Sequence, residues 1–541
     1  MTEGTDRELR ELAVFRALAG AESARDRSPG MARVAWGMAV SIAAIFSPRA
    51  PERASTAYLA HPMWAKVTEP GSTDMHRTLL LCAQSLACAV TPLNAAELRV
   101  PGDHPTIQSA IDAASSGDLI IIGAGTYPGG ISISGKAVTL AADSDATVTI
   151  DGGGSWGISA TGIPAPGLRL VGLAVTRCAA SPRGAALNAE SSVIEIVDCD
   201  FSDNHVTGGA DVHGGGAVFA STSSVRISDS RFIGNSVVLV SNGYPFGFGG
   251  ALMLDSCDVA VDRSVFQGNL VSTSVPGASW AEARAQGGAI SARWSSGSVR
   301  DSRFVANRAD SSVTGFGPLA SAHGFALSLG SPSSQRFEVV GCRFSENSGL
   351  TTSNNAYYQG AGTSNATVAF GYESEQQASH VVRDCMFDGN RAIKAPQTNG
   401  AAIADIGCLW HARVDVTGCR FAGSFASPLT ETLSGFGQWS GSVRALNNPG
   451  VPNSTIAASV FCALDCLAAG SEIITSDTSE HEQCCAGDID PSRAVDGADL
   501  GLVLARWGEA SVADPCDLNA DGVVDGADLA ELLESWGPCP R

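Results

Sequence analysis

The six residues CRFSEN, Cys342–Asn347, decide the fold because close copies of them return along the chain. The shared pattern is Cys or Ser, any residue, Phe, two further residues and Asn, and it weakens to CRFAGS and SVFCAL, which end at Ser424 and Leu464. The other clear copies are CDFSDN, SRFIGN, SVFQGN, SRFVAN and CMFDGN, ending at Asn204, Asn235, Asn269, Asn307 and Asn390. Such recurrence at irregular intervals indicates a repeat architecture with insertions in one loop of each repeat.

Each copy follows a short alternating segment and precedes a loop that ends in a Gly-rich segment, as at Gly215, Gly249, Gly287 and Gly400. Strands of successive coils stack about 4.8 Å apart, so each Phe is predicted to stack on the next, and each Asn to hydrogen-bond to the next at a turn. The sequence therefore predicts an all-β fold, a right-handed parallel β-helix of about ten rungs over residues 97–470, roughly 45–50 Å long. A β-sandwich with irregular strands is the alternative.

The start of the coil, LRVPGDHPTIQSAIDAASSGDLIIIGAGTY from Leu98 to Tyr127, carries a signal of its own. Thr106 is predicted to N-cap a helix whose apolar residues share one face and cover the open end of the core, namely Ile107, Ala110, Ile111 and Ala114. This segment resembles the N-terminal part of pectate-lyase-like β-helix proteins. The Phe-x-x-Asn and Gly-Gly-Ala-Ile pair resembles the repeats of polymorphic outer-membrane proteins. These resemblances imply a fold, but the scaffold serves lyases, hydrolases, esterases and adhesins alike.

Composition restricts the partners and the location of the protein. The 541 residues carry a net charge of −21, which argues against nucleic acid and anionic membranes as partners. The 15 cysteines favour export to an oxidising, extracellular compartment. A basic start at Met75, an apolar run and small residues near Ala96 predict a bacterial signal peptide over 75–96. Residues 1–74 are interpreted as a mis-called start or a removed leader, or alternatively as a genuine extension; no integral membrane domain is expected in the mature chain.

Two groups of polar residues on the coil are weak candidates for catalysis. Polysaccharide lyases and hydrolases on this scaffold need carboxylates and a proton acceptor on neighbouring rungs. The candidates are Asp203, Asp211 and His213 in one rung, and Asp384, Asp388 and Lys394 in another. Outward positions of an exported coil are normally polar and solvated, so a non-catalytic interpretation stays open.

Aromatic residues in the loops before the Gly-rich segments suggest a different activity. Rings spaced along a coil can form a platform for sugar rings. Packing of the loops onto the coil is the alternative. The carbohydrate-binding candidates are Tyr244, Trp280, Tyr357 and Tyr358.

Residues 484–541, after a predicted linker at 471–483, form an acidic tail with an internal duplication. DLNADGVVDGAD from Asp517 spaces oxygen ligands as a calcium loop does, with Gly522 at the sharp turn. The predicted ligands are Asp517, Asn519, Asp521, the carbonyl of Val523, Asp525 and Asp528. A helix should follow each loop, and the two helices should pack through Leu529, Leu532, Leu533 and Trp536 in one copy and Leu500, Val503, Leu504 and Trp507 in the other.

This tandem resembles a type I dockerin, the module that attaches secreted proteins to cohesin-bearing scaffolds or cell surfaces. The resemblance implies partner-binding residues at Gly497, Ala498, Gly526 and Ala527. It also implies calcium ligands in the first loop at Asp488, Asp490, Asp496 and Asp499, although Ser492 and Arg493 depart from the pattern. Cys485, Cys516 and Cys539 could staple the module, with the pairing open. A purely structural calcium clip is the alternative.

Together these patterns predict a secreted or cell-surface β-helix that binds extracellular polysaccharide or acts as an adhesin. Calcium is the expected cofactor, and a cohesin-like or other surface scaffold is the expected partner of the tail. The alternative is a polysaccharide lyase or glycoside hydrolase of the pectate-lyase-like superfamily that is delivered to a scaffold.

Overall fold

The computed structural model describes most of the chain from Ala95 to Pro538. The described residues are 95–144, 146–180, 182–209, 211–277, 282–314, 319–332, 335–353, 363–370, 379–394, 402–408, 413–422, 424–426, 440–445, 454–457, 460–461, 473–476, 479–480, 487–489, 494–509, 514, 516–519 and 523–538. The predicted signal peptide, apart from its last two residues, and the segment before it lie outside them.

Four parallel sheets run side by side along a β-solenoid, as the repeat predicts. Sheet A has 13 strands among the described residues, so the prediction of about ten rungs is too low; the first and last rungs lack the Phe-x-x-Asn motif. At about 4.8 Å per strand the sheet extends some 55–60 Å. Its strands are Glu97–Val100, Leu119–Ile122, Thr139–Ala142, Leu168–Val171, Val193–Val197, Ser224–Ser228, Asp258–Asp262, Ser296–Arg300, Phe337–Val340, Ser379–Arg383, Arg413–Thr417, Ser454–Ala457 and Ile473–Ser476.

Sheet B follows sheet A in each rung and contains the Phe of the motif. Its last strand, like that of sheet A, falls within residues 471–483, the predicted linker. Its strands are Gly125–Pro128, Val148–Asp151, Leu173–Thr176, Asp200–Ser202, Arg231–Ile233, Val265–Gln267, Arg303–Val305, Arg343–Ser345, Met386–Asp388, Arg420–Ala422, Val460–Phe461 and Ser479–Glu480.

The loop insertions form further strands. Sheet D leaves the coil after each Asn, and the chain then comes back through strands of sheet C that we call the returning strands. The strands of sheet D are Ala179–Ala180, His205–Gly208, Ser236–Val240, Leu270–Val275, Arg308–Val313, Ser348–Ser353, Arg391–Lys394 and Phe425–Ala426. The returning strands are Asp211–Gly214, Pro245–Phe248, Glu282–Gln286, Leu319–His323 and Thr363–Asn365.

The remaining strands of sheet C, the inner strands, close each rung beside sheet A. They are Ile131–Ser134, Ile158–Thr161, Leu187–Glu190, Val218–Ser221, Leu252–Asp255, Ile290–Arg293, Leu327–Leu329, Val368–Phe370, Ala402–Cys408 and Ser440–Ala445. Helix α1, Ile107–Ala113, is N-capped by Thr106 as predicted, and Ile107, Ala110 and Ile111 are buried in the main core.

A column of phenylalanines fills the core behind sheet B. Their rings stack with centroids 4.8–5.0 Å apart and nearly parallel planes, which confirms the predicted stack. The column consists of Phe201, Phe232, Phe266, Phe304, Phe344, Phe387 and Phe421, all buried.

The asparagines form a second buried column at the turn after sheet B. Asn307 is typical: its Nδ2 donates to Oδ1 of Asn347 at 3.0 Å, and its Oδ1 accepts from Nδ2 of Asn269 at 2.9 Å. The column is Asn204, Asn235, Asn269, Asn307, Asn347 and Asn390. It ends at Asp405, whose Oδ1 accepts from Nδ2 of Asn390 at 3.0 Å. The predicted Asn ladder is therefore present and terminates on a carboxylate.

The position two residues before each Phe is either Cys or Ser because both side chains make the same hydrogen bond in the turn. The Ser230 hydroxyl donates to the carbonyl of Ser228, and the Cys199 thiol to that of Val197. The seven cysteines whose side chains the structure describes are buried thiols that form no disulfide, and Cys516 is one of them. Burial raises the pKa of Cys199 to about 11, so this thiol stays protonated and unreactive. The described cysteines of the coil therefore serve packing.

His380 is a buried base that makes the coil sensitive to acid. Its Nδ1 accepts a hydrogen bond from the amide of Phe337 at 3.1 Å, and its ring stacks on Phe370 with a centroid distance of 4.6 Å. Burial lowers its pKa to about 3. In the unfolded chain the ring takes up a proton near its ordinary value of about 6.5, so its contribution is complete above that pH and is lost as the pH falls toward 3.

His380→Phe is therefore expected to flatten the pH dependence of stability. Between pH 7 and 5, wild type should lose about 2 kcal/mol more of its free energy of unfolding than the variant, at about 1.4 kcal/mol per unit of pH below 6.5. Denaturant titrations at both pH values measure this difference. His104→Gln, outside the core, should retain the wild-type slope. An unchanged slope in His380→Phe would contradict the assignment.

Candidate functional site

A corner runs along the coil where the returning strands of sheet C meet its inner strands, and most of its lining is buried between them. The chain turns there through paired glycines: Gly287 has a φ of +67°, and a Cβ on Gly288 would overlap the carbonyl oxygen of Phe325. Side chains on the outer faces of the two sets of strands then face each other. We call this corner the groove; its lining includes Asn188, Phe219, Phe246, Phe248, Met253, Arg284, Gln286, Ser291, Ser321, His323 and Ser328.

One end of the groove is apolar. Phe248 of a returning strand packs with Phe219 and Met253 of inner strands in a buried cluster, and Phe246 lies against it. Because strand residues alternate between faces, Phe219 and Met253 would be exposed if the returning strands did not cover them. The close approach depends on Gly214, where an added Cβ would overlap the Met253 sulfur.

The other end of the groove is polar. In register, Phe248 is followed by Gln286 and then His323 on the returning strands, while Met253 is followed by Ser291 and then Ser328 on the inner strands. All four polar side chains are almost fully buried. The lining therefore changes from apolar to polar within three rungs, over about 10 Å.

Several polar atoms in the groove have no hydrogen-bond partner among the described residues. Buried polar groups in native proteins are almost always paired, with protein, ordered water or ligand. An unpaired group costs about 1–3 kcal/mol. Their concentration between the returning and the inner strands marks a polar layer in the interior, of the kind that ordered water commonly satisfies. These atoms are Nε2 of Gln286, Oγ of Ser291, Oγ of Ser321 and Oδ1 of Asn188.

Arginines cover the aromatic rings of the groove. The guanidinium carbons of Arg293 and Arg284 lie 4.6 Å and 4.9 Å from the ring centroids of Phe248 and Phe246. Arg284 also forms an ion pair with Glu282. Burial, and secondarily the Arg284 charge, lower the pKa of His323 to about 3. The His323 imidazole is therefore neutral and a weak proton acceptor, which suits hydrogen bonding better than general-base catalysis.

Tyr244 is the aromatic candidate that the structure describes. Its side chain is 52% exposed, and its ring lies 6.3 Å from that of Phe246 in a tilted arrangement. Tyr244 thus stands at the apolar end of the groove. Trp280, Tyr357 and Tyr358 lie outside the described residues.

The first group of candidate catalytic residues does not lie together in the groove. Asp203 occupies the turn before sheet D with a φ of +53°, and Asp211 begins a returning strand. His213 is buried against Gly208 of sheet D, where an added Cβ would overlap its ring. The His213 ring therefore lies on the side of the returning strand opposite to the groove.

The second catalytic group is spread around the coil. Asp384 is in the turn between sheets A and B, Asp388 lies on the outer face of sheet B, and Lys394 ends a strand of sheet D. Burial raises the pKa of Asp388, against the opposing effect of Arg343 and Arg420. Neither Asp384 nor Asp388 belongs to the groove lining.

The tail is a small duplicated module with its own core. Helices α2, Gly497–Ala505, and α3, Gly526–Glu534, follow the two predicted loops. Two antiparallel pairs of short strands join the copies: Ala494–Val495 with Gly537–Pro538, and Gly508–Glu509 with Val523–Val524. Val495, Val503, Cys516, Val524 and Leu532 form the buried cluster.

The predicted packing face of the two helices is only partly correct. Val503 and Leu532 are buried, but Leu504 and Leu533 are about half exposed, as are Trp507 at 51% and Trp536 at 48%. The module is too small to bury both sides of each helix, so these equivalent residues remain as two matching apolar surfaces. The Gly-Ala pairs that begin the helices, Gly497–Ala498 and Gly526–Ala527, are exposed as well.

The described loop residues offer carboxylate oxygens, which are the donors that a hard cation prefers. Asp517 and Asp528 are buried, and the Asp528 carboxylate accepts from the amides of Asn519 and Asp525 at 3.1 Å and 2.8 Å. Asp499 does the same in the first loop, with the amides of Ile489 and Asp496. Oxygen donors of this kind suit calcium. Asp525 and Asp496 N-cap their helices, and Asp488 is buried.

Within the described residues, no three His, Cys, Asp or Glu side chains converge as a metal site. Cys516 forms no disulfide, so a staple through it is wrong. Asp490, Asp521, Gly522, Cys485 and Cys539 lie outside the described residues, so the ligand sets and a Cys485–Cys539 pair stay predictions.

Comparison with known proteins gives no identification. No family model, no curated protein and no solved structure matches this chain. Among the residues that the structure describes, no helix has the length and apolar character needed to cross a bilayer. The function must therefore be argued from the groove and the module.

No sequence pattern points directly to the groove. Gln286 and His323 lie in the predicted loop insertions, where no strand is expected. Ser291 alternates with apolar residues, as any outward-facing residue of a strand does. The signal that could have found it is the run after each Asn, such as RADSSV at Arg308–Val313, which alternates like a strand.

Proposed function

We propose that this protein is a secreted or cell-surface, right-handed β-helix related to the pectate-lyase-like superfamily. It binds an extracellular polysaccharide along the groove without cleaving it. Its dockerin-like C-terminal module anchors it through a calcium-dependent fold. The observation that carries the proposal is the exposed ring of Tyr244 beside that of Phe246 and its covering Arg284, at the solvent-exposed edge of the groove.

A polysaccharide suits this groove in direction and in chemistry. The groove follows the coil axis, so a linear chain could contact several rungs at once. Sugar rings have apolar C–H faces that pack on aromatic rings, and their hydroxyl groups both donate and accept hydrogen bonds. The exposed Tyr244 offers both a ring face and a phenolic hydroxyl to such a ligand.

Binding without cleavage is favoured by the ionisable groups of the groove. Glycoside hydrolysis commonly uses two carboxylates flanking the bond. The described groove lining offers instead the neutral imidazole of His323 and the guanidinium of Arg284, which is already paired with Glu282. The candidate residues Asp203 and Asp388 lie elsewhere on the coil.

Retention on immobilised polysaccharides tests the groove. Wild type should bind at least one member of a panel of neutral and uronic-acid polysaccharides, and Tyr244→Ala should weaken that binding about tenfold, since an aromatic contact is worth roughly 1–1.5 kcal/mol. Trp156→Ala removes an exposed aromatic outside the groove and should bind as wild type does. Incubation in calcium while following the absorbance of unsaturated products tests for cleavage. Turnover on any substrate would contradict the non-catalytic proposal.

The anchoring role is supported by the duplicated surfaces of the module. The exposed Gly-Ala pairs and the half-exposed Trp507 and Trp536 occur at equivalent positions of the two copies. A protein partner usually buries aromatic residues at the centre of its interface. A cohesin-like or other surface scaffold that recognises either copy fits this arrangement.

Calcium should order the module in the full-length protein. Wild type should bind calcium in a calorimetric titration, and chelation should reduce its far-ultraviolet helical signal. Asp528→Asn should weaken calcium binding at least tenfold, because a carboxylate at the last ligand position is lost. Glu534→Gln removes the same charge at an exposed position of α3 and should bind as wild type does. Unchanged affinity in Asp528→Asn, or no binding by wild type, would contradict the calcium assignment.

A further inference from the structure

A column of arginines lies on the outer face of sheet B. Arg303 and Arg343 are direct neighbours in register, and Arg420 lies two strands beyond Arg343, with Met386 between them. Each of these arginines precedes a buried Phe of the core column, so alternation directs its side chain outward. Like charges on adjacent strands destabilise a sheet, so this column requires a partner.

The C-terminal module provides that partner. Nη1 of Arg343 donates to the carbonyl oxygen of Asp517 at 2.8 Å, and Nη2 donates to that of Leu518 at 3.4 Å. Nη2 of Arg303 lies 3.8 Å from Oδ2 of Asp517. These contacts fall on the first two residues of the second predicted calcium loop.

The first loop meets the same column. Burial lowers the pKa of Arg420, and the carboxylates of Asp488, Asp388 and Asp499 oppose that effect. Asp488 and Asp499 are the first and last predicted ligands of the first loop. Both loops of the module therefore present carboxylates to sheet B.

The burial of the arginines shows that this contact is extensive. Arg343 is only 8% exposed, although its position on an outer sheet face would leave it in water without the module. Taking a guanidinium out of water costs several kcal/mol unless charges and hydrogen bonds replace the solvent. Asp388 from the coil and Asp517 from the module supply the negative charge around Arg343.

We propose that the arginine column docks the C-terminal module onto the coil, and that docking and calcium binding by the second loop oppose each other. The proposal rests on the calcium binding proposed above. Calcium needs the Asp517 carboxylate, and the Arg303 guanidinium already neutralises it. Two cations at one carboxylate repel each other, so calcium weakens docking. By linkage, docking weakens calcium binding by the same factor.

The test compares three full-length proteins: wild type, R303Q/R343Q and R231Q. Arg231 occupies the same position of sheet B further from the module, and its side chain is 62% exposed, so R231Q removes a matched charge. Calorimetry gives the calcium affinity of each protein. Hydroxyl-radical footprinting of Met386, half-buried between Arg343 and Arg420, reports docking. R303Q alone serves if the double variant misfolds.

R303Q/R343Q is expected to bind calcium about fivefold or more tightly than wild type, the lower range of allosteric couplings. Met386 should be protected in chelated wild type, become more reactive on addition of calcium, and be reactive in R303Q/R343Q under both conditions. R231Q should behave as wild type does. Equal calcium affinities in all three proteins, or a reactive Met386 in chelated wild type, would overturn the proposal.

Calcium binding by none of the three proteins would contradict the calcium assignment itself and remove the antagonism with it. Calcium binding of equal strength would leave that assignment standing and overturn only the antagonism. The two failures are therefore distinguishable in one set of titrations.

Discussion

Phe304→Ala is expected to lower the free energy of unfolding by about 3–5 kcal/mol, the usual cost of truncating a buried Phe. The ring stacks between Phe266 and Phe344 with centroids 5.0 Å away on both sides. Removing it leaves a cavity that neighbouring rungs cannot close, because the strand register fixes their separation. Guanidinium denaturation followed by circular dichroism measures the loss.

The matched control for this prediction is Val305→Ala, at the next residue of the same strand. Val305 points outward and is half-buried, so its truncation should cost about 1 kcal/mol or less. Equal losses in the two variants would mean that the Phe column does not hold the core.

Asn307→Ala is expected to cost about 3 kcal/mol, because one side chain serves four hydrogen bonds. Its Oδ1 accepts from the amide and Nδ2 of Asn269, and its Nδ2 donates to Asn347 and to the carbonyl of Phe266. The substitution leaves buried donors and acceptors without partners on both neighbouring rungs. Each unpaired group lowers the free energy of unfolding by about 1–3 kcal/mol, and relaxation of the structure recovers part of that loss.

Hydrogen exchange resolves this loss along the coil. Asn307→Ala should speed exchange of the amides of Asn269 and nearby residues first, whereas Asn242→Ala, in an exposed loop, should leave exchange unchanged. A uniform increase over the whole chain would contradict a local ladder and indicate that the variant destabilises the protein as one unit.

The parts of the fold that repeat could be predicted from sequence, and the parts that insertions build could not. Phe344 and Asn347 recur with their neighbours, so stacking distance alone assigns them to two columns. Sheet D was not predicted because its strands lie within the loop insertions, which vary in length and lack the motif. Its inner face mixes apolar residues such as Val237 and Val271 with small polar ones such as Ser311, which donates to the carbonyl of Ala283 across the two layers.

The site was predicted only where a residue carried its own signal. Tyr244 was proposed as a sugar contact because it is aromatic and lies in a loop, and the structure places it beside the groove. Gln286 and Ser291 could not be predicted, because their burial depends on how far the returning strands fold over the inner ones. Trp507 and Trp536 follow helical periodicity as core residues would, yet the module lacks the second layer that would bury them.

The docking of the module on sheet B was equally invisible in the sequence. Arg303 and Arg343 precede a Phe in the motif, where any residue is tolerated. Only the register shows that they form a column, and only the folded tail shows that Asp517 meets it.

Footprinting of the full-length protein with and without a retained polysaccharide tests the central claim, that the groove is the binding surface. Tyr244 and Phe246 should become several-fold less reactive toward hydroxyl radicals in the complex, whereas Trp156 and Trp507 should not change. Binding that leaves Tyr244 and Phe246 as reactive as in the free protein would contradict the account.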